Sequence, residues 1–195
     1  MKYTKLQLDA LKEVINIGGG HAATSISKLV AKKINMDVPE VRILSYHELY
    51  TEVLADSVEV HAVISRIIGK YGGEILFVVP DGAFNKLAEL MLGSPHNNEA
   101  LKTSAVSELT NIISNSFLGA IGNLLAVQLQ STLPVIQDDY FGAVISSAYM
   151  ALDQYDEQIM VIRNEFTYAK ERLEMSLFLI PETGVIDGIV KSLGI

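Results

Sequence analysis

The chain has 195 residues, 49 % of them hydrophobic, a mean hydropathy of +0.29 and a formal net charge of −8. That length and apolar content suffice to bury a full core, while the scattered acidic excess lacks the positive face that nucleic acid or an anionic membrane demands. With no cysteine present, disulfides, thiol nucleophiles, iron–sulfur clusters and cysteine-ligated zinc are excluded together.

Thr4 and Gln7 have capping-box spacing and predict the start of a helix. No signal-like apolar core follows the charged N-terminus, and no apolar run approaches the roughly 18 residues of a membrane span, so a cytoplasmic protein is expected. Leu8, Leu11, Ile15, Ala22, Ile26 and Leu29 recur at helical intervals. Helix is therefore expected through Lys33, closed by Asn35 or Asp37, even though Gly18, Gly19 and Gly20 weaken it or allow a close neighbour.

Pro39 begins a shift to period two, with Val38, Val41, Ile43 and Leu44 reading as a strand. Tyr46 to Ala55 carries no clear period. Strands are predicted from Val58 to Ile67 and from Glu74 to Val79, around a turn at Gly69 to Gly73, followed by a short helix from Ala83 to Leu92. Gly93-Ser94-Pro95 punctuates the chain near its midpoint.

The second half repeats this order. Thr103 or Ser104 can cap a long helix running to about Gln130, and Pro134 opens a strand. Tyr140 to Ala151 is ambiguous between strand and helix; Gln158 to Tyr168 and Leu173 to Ile180 alternate as strands, and Val185 to Leu193 closes the chain as a helix. Leu76-Phe77-Val78-Val79-Pro80 matches Leu177-Phe178-Leu179-Ile180-Pro181.

The expected architecture is α+β: one central, mainly antiparallel sheet with long helices packed on it. Two pseudo-two-fold-related helix–strands–helix halves, residues 1–95 and 96–195, would share one core in a single domain.

The repetition is sharpest in polar residues. Asp9-x3-Glu13-x2-Asn16-x22-Pro39 returns as Ser104-x3-Glu108-x2-Asn111-x22-Pro134, every position offset by 95. A chance coincidence of Glu, Asn and Pro at one offset is roughly a one-in-a-hundred event, so the repeat is signal. In one copy alone, Glu13 and Asn16 would read as ordinary residues on the wet face of a helix. Nothing in helix energetics requires asparagine, a mediocre helix former, at the same place twice.

The pattern Asp/Ser-x3-Glu-x2-Asn-x22-Pro resembles the signature of the CheC, CheX and FliY family of bacterial chemotaxis phosphatases. Asn16-Ile17-Gly18-Gly19-Gly20-His21-Ala22-Ala23-Thr24 looks like a run typical of it, although Ile15, His21 and Thr110 depart from the usual residues. Two intact copies, with no appended flagellar switch segment, place the resemblance nearest the CheC branch.

The resemblance implies hydrolysis of the aspartyl phosphate on a CheY-type response regulator in chemotaxis signalling. Asn16 and Asn111 would hold the attacking water, Glu13 and Glu108 would pair with the receiver's lysine, and Asp9 and Ser104 would support from one turn earlier. Pro39 and Pro134 would end the helix–strand connection. No cofactor of the chain's own is implied; Mg2+ is expected on the phosphorylated receiver. An alternative reading is a weakly catalytic binding module that regulates the deamidase CheD or sequesters a receiver.

Two decoys are set aside. Gly18-x-Gly20-x-x-Ala23, with Asp37 downstream, has dinucleotide-fingerprint spacing, but that fingerprint needs a strand before its glycines and Leu8 to Ile17 reads as helix. His21, His47, His61 and His96 lack the spacing of metal ligands, and His21 is expected to pack between helices or at an interface.

Overall fold

A computed structural model describes residues 3–151, 158–168 and 171–194. The elements follow in the order α1 (Lys5–Val30), β1 (Asn35–Ser45), α2 (Tyr46–Glu52), β2 (Glu59–Gly69), β3 (Gly73–Val79), α3 (Asp81–Leu92), α4 (Glu99–Leu125), β4 (Leu129–Ser131), β5 (Val135–Tyr140), α5 (Phe141–Met150), β6 (Gln158–Tyr168), β7 (Glu171–Pro181) and α6 (Val185–Ser192). This is the α+β fold expected from the sequence, with six helices and one open sheet of seven strands among the described residues.

The strand order is β1-β6-β7-β3-β2, after which β2 carries β5 along its first residues and β4 beside its last. Every pairing among the described residues is antiparallel. The order reads alike from either edge: β7 and β3 are central, and the first strand of each half pairs with the second strand of the other. Val41 lies opposite Ile162, while Ile136, 95 residues after Val41, lies opposite Val63.

The sheet is buried on both faces. Leu11, Ile15 and Ile26 of α1, Leu109, Ile113 and Phe117 of α4, Leu87 of α3 and Ile189 of α6 pack on one face against Phe77, Val79 and Leu177. Leu49 of α2 and Phe141, Val144 and Ile145 of α5 pack on the other, against Leu76, Val78 and Phe178. Leu76 and Leu177 thus face opposite layers. The matched runs Leu76–Pro80 and Leu177–Pro181 are one residue out of phase in space, because a single step along a strand changes its face.

Both long helices begin on a side-chain cap. Thr4 and Gln7 form the predicted capping box, the Thr4 Oγ1 accepting from the Gln7 N–H at 3.2 Å and the Gln7 Oε1 accepting from the Thr4 N–H at 2.9 Å. In the second half the cap is Asn98, whose Oδ1 accepts from the Leu101 N–H at 3.1 Å. Thr103 and Ser104, read as candidate caps, lie inside α4. Asparagine outranks threonine as a cap, and α4 starts 94 residues after α1, one residue short of the 95-residue offset.

The helices end earlier than periodicity suggests, at Val30 and Leu125, which are 95 residues apart. Each is followed by an alanine in the left-handed region, Ala31 at φ 54° and Ala126 at φ 53°. Left-handed backbone costs an L residue about 1–2 kcal/mol, and glycine is the usual occupant of such a terminus. Ala31→Gly and Ala126→Gly should therefore each stabilise the fold by up to about 1 kcal/mol, net of glycine's extra freedom in the unfolded chain. Urea titration checks this, and a lowered midpoint in both variants would count against it.

The two stretches without clear period divide differently. Ser45 caps α2 through the Glu48 N–H at 3.3 Å, so the helix begins directly after β1. Tyr140 ends β5 and the apolar run from Phe141 becomes α5. Short apolar runs do not distinguish strand from buried helix by period alone.

Candidate functional site

Asp9, Glu13 and Asn16 share the outer surface of α1, and Ser104, Glu108 and Asn111 that of α4. Asp9, Glu13, Ser104 and Glu108 are exposed, while both asparagines are half-buried. At 100° per residue, Asp9 and Asn16 lie about 40° and 60° to one side of Glu13, toward β1. Among the described residues, neither Glu13 nor Glu108 has a hydrogen-bond or ion-pair partner within the chain. These carboxylates are available to an external cation.

The first asparagine is anchored by backbone. Asn16 Oδ1 accepts from the Val38 N–H at 3.1 Å. Between Asp37 and Glu40 the register of β1 against β6 shifts by one residue, a bulge that holds Val38 and Pro39. Asn16 thus supplies an acceptor for an N–H at a break in the ladder, and Pro39, having no N–H, needs none. The Pro39 carbonyl accepts from Lys12 Nζ at 2.6 Å. This accounts for the 22-residue spacing: the chain must return along α1 so that the residue before the proline meets the asparagine. Pro39 therefore lies within β1 and does not end the helix–strand connection, as the sequence led us to expect.

The second asparagine is anchored by side chains. Asn111 Oδ1 accepts from Asn115 Nδ2 at 2.9 Å and from Ser131 Oγ at 3.3 Å. Asn115 is fixed in turn, its Oδ1 accepting from the Ser131 N–H at 3.0 Å. Pro134 stands immediately before β5, outside any bulge shown for that strand. The first half has Gly20 and Met36 where the second has Asn115 and Ser131, so this lock has no counterpart there. Asn115 was not singled out in the sequence, where its i,i+4 spacing from Asn111 was the available signal.

The helices that carry the two candidate sites, α1 and α4, pack directly on each other. A Cβ placed on Gly18 would lie 2.8 Å from Phe117 Cδ1 and 2.9 Å from the Ser116 carbonyl oxygen. Gly20, by contrast, has nothing within 4 Å. Of the two roles open to the glycines in the sequence, close approach belongs to Gly18. No strand precedes them, so the dinucleotide-like spacing sits inside a helix. His21 is exposed and, with Ser25, faces Asn111 and Asn115 across an open groove between α1 and α4.

The fold carries the same Glu–Asn spacing on the outer surfaces of both long helices, α1 and α4. A profile described as CheC-like family matches residues 6–43. The CheY-P phosphatase CheC of Bacillus subtilis (strain 168) is 31 % identical over 196 aligned residues, covering 96 % of this chain and 94 % of that protein. The chain belongs to the CheC-like family.

Solved structures agree on the fold. The crystal structure of Thermotoga maritima FliY matches with a TM-score of 0.79 at 20 % identity, over 100 % of this chain and 98 % of that one. CheX in a CheX–CheY–BeF3–Mg2+ complex from Borrelia burgdorferi matches at 0.51 and 13 % identity, over 85 % and 96 % of the two chains. Among the described residues no helix is long and apolar enough to cross a membrane.

Proposed function

We propose that this protein hydrolyses the aspartyl phosphate of a CheY-type response regulator at two sites, one centred on Asn16 and one on Asn111. The observation that carries the reading is the duplicated pairing of an exposed, unpartnered glutamate with an asparagine whose amide is fixed by neighbouring groups. The name of the Bacillus subtilis relative, a CheY-P phosphatase, and the CheX–CheY complex support it.

An acyl phosphate is already activated, and the receiver supplies its own Mg2+ and lysine. What remains is to hold a water in line with phosphorus, a task of positioning. An asparagine side chain can donate from Nδ2 and accept at Oδ1. With Asn16 Oδ1 held by the Val38 N–H, the orientation of the amide is set and Nδ2 is left to direct the water oxygen. Glu13 and Glu108 pair with the receiver's lysine and set the depth at which the asparagine enters. Asp9 and Ser104 add a polar contact one turn earlier.

The test is phosphate release from a CheY-type receiver phosphorylated by a small-molecule donor. Wild type shortens the phosphoryl lifetime; Asn16→Ala and Asn111→Ala each lower kcat, and the double variant returns the rate to that of the receiver alone. Unfolding midpoints of all three accompany the assay. Undiminished acceleration by a folded double variant contradicts the mechanism, and a wild type without effect transfers the reading to a binding module for a receiver or for CheD.

A further inference from the structure

Apart from the signature, the two long helices share residues that their fold does not require to be shared. Between residues 6 and 17, five positions are identical 95 residues on: Leu6/Leu101, Ala10/Ala105, Glu13/Glu108, Asn16/Asn111 and Ile17/Ile112. Ala10 and Ala105 are partly or fully buried, which explains their kinship by packing. Leu6, Ile17 and Leu101 are not explained that way, being 64 %, 52 % and 39 % exposed. Ile112 is half-buried at the margin of the core.

Their placement is directional. On α1, Leu6 lies two turns before Glu13 and about 20° around the helix from it; Ile17 lies one turn after and about 40° around, in the same sense. Asn16 and Asp9 lie on the opposite side of Glu13. The glutamate is therefore flanked by a polar strip toward β1 and an apolar strip on the other side, and α4 presents the same arrangement. Exposed leucine and isoleucine taken singly need no explanation. Two of them repeated at the signature's own offset, beside the same glutamate, do.

We infer that Leu6 with Ile17, and Leu101 with Ile112, are receiver-docking residues, an apolar half of each site that seats against the surface around the receiver's phosphorylated aspartate. This inference rests on the phosphatase reading and deepens it. The occupant follows from continuity: whatever Glu13 and Asn16 touch must also cover side chains within one or two turns on the adjoining strip. Burial of such side chains supplies affinity, and the adjoining charge sets register.

The experiment is steady-state phosphate release from a phosphorylated CheY-type receiver by wild type, Leu6→Gln/Leu101→Gln, Ile17→Gln, and the control Leu29→Gln. Leu29 is also exposed, at 55 %, but lies about 160° around α1 from Glu13. The double leucine variant should raise KM by about tenfold with kcat and unfolding midpoint unchanged. Ile17→Gln, compared within an Asn111→Ala background so that only the first site turns over, should raise KM by a similar factor and Ile17→Val in that background should restore it, while Leu29→Gln should change neither. An active wild type with unchanged KM in Leu6→Gln/Leu101→Gln and Ile17→Gln overturns this inference alone. Loss of a self-associated species on sedimentation, with KM unchanged, also overturns it by assigning the strip to a second copy of the chain. A wild type that leaves the receiver's phosphoryl lifetime unaltered overturns this inference together with the reading beneath it.

Discussion

Charge reversal at both glutamates, Glu13→Lys with Glu108→Lys, is expected to raise the KM for a phosphorylated receiver by about 10²-fold while leaving the fold intact. Breaking a desolvated charge pair at an interface costs about 2–5 kcal/mol, and the reversed charge then opposes the receiver's lysine directly. The fold bears little of this cost, because both side chains are exposed and have no partner within the chain among the described residues. On α1 the change even removes repulsion between Asp9 and Glu13, like charges one turn apart. The asparagine variants are expected to act on the other parameter, lowering kcat. Kinetics on single variants also resolve the two sites, since Asn16 and Asn111 are anchored by different groups. An unchanged KM in the doubly reversed protein would remove the glutamates from the interface.

The second large effect concerns stability. Gly18→Ala and Gly20→Ala are the same substitution two residues apart in one helix, and they should have opposite signs. Alanine is favoured over glycine in a helix interior by about 1 kcal/mol. At Gly20 nothing stands in the way of the methyl group, so the variant should gain roughly that amount. At Gly18 the methyl group meets Phe117 Cδ1 at 2.8 Å, the Ser116 oxygen at 2.9 Å and Phe117 Cα at 3.0 Å. Two of those atoms belong to backbone, so α1 and α4 must separate. Overpacking of this kind costs about 1–3 kcal/mol, which outweighs the gain in propensity. For a domain of this size each kcal/mol shifts Tm by about 2–4 °C, so the two variants should melt several degrees apart. Melting in the opposite order would show that the helices have slack at their crossing.

Much of the candidate site was legible because its residues recur at one spacing. Glu13, Asn16, Glu108 and Asn111 stand out from any solvated helix face only because an identical spacing recurs, and the sheet and long helices follow from period and length. The groups that hold the asparagines were hidden, since they join residues distant along the chain: Val38 reaches Asn16 across a strand bulge, and Ser131 reaches Asn111 from a three-residue strand. No local pattern announces a bulge inside β1, which is why Pro39 read as a terminator. Asn98 went unread as a cap because Thr103 and Ser104 stand closer to the signature. The identity of α5 depended on the neighbouring layer, where Phe141 and Ile145 find Phe178 and Leu76, and not on its own sequence.

The crossed pairing of first strands makes each half depend on the other for its sheet. A lone half would hold β2 and β3 as a ribbon with both edges open, while its own first strand would have no neighbour within that half. Such a unit could complete its sheet only by trading first strands with a twin. In the single chain, the stretch between Gly93 and Asn98 joins the halves and every such pairing is made within one molecule, so the two copies need not be alike: Asn16 is held by backbone and Asn111 by side chains.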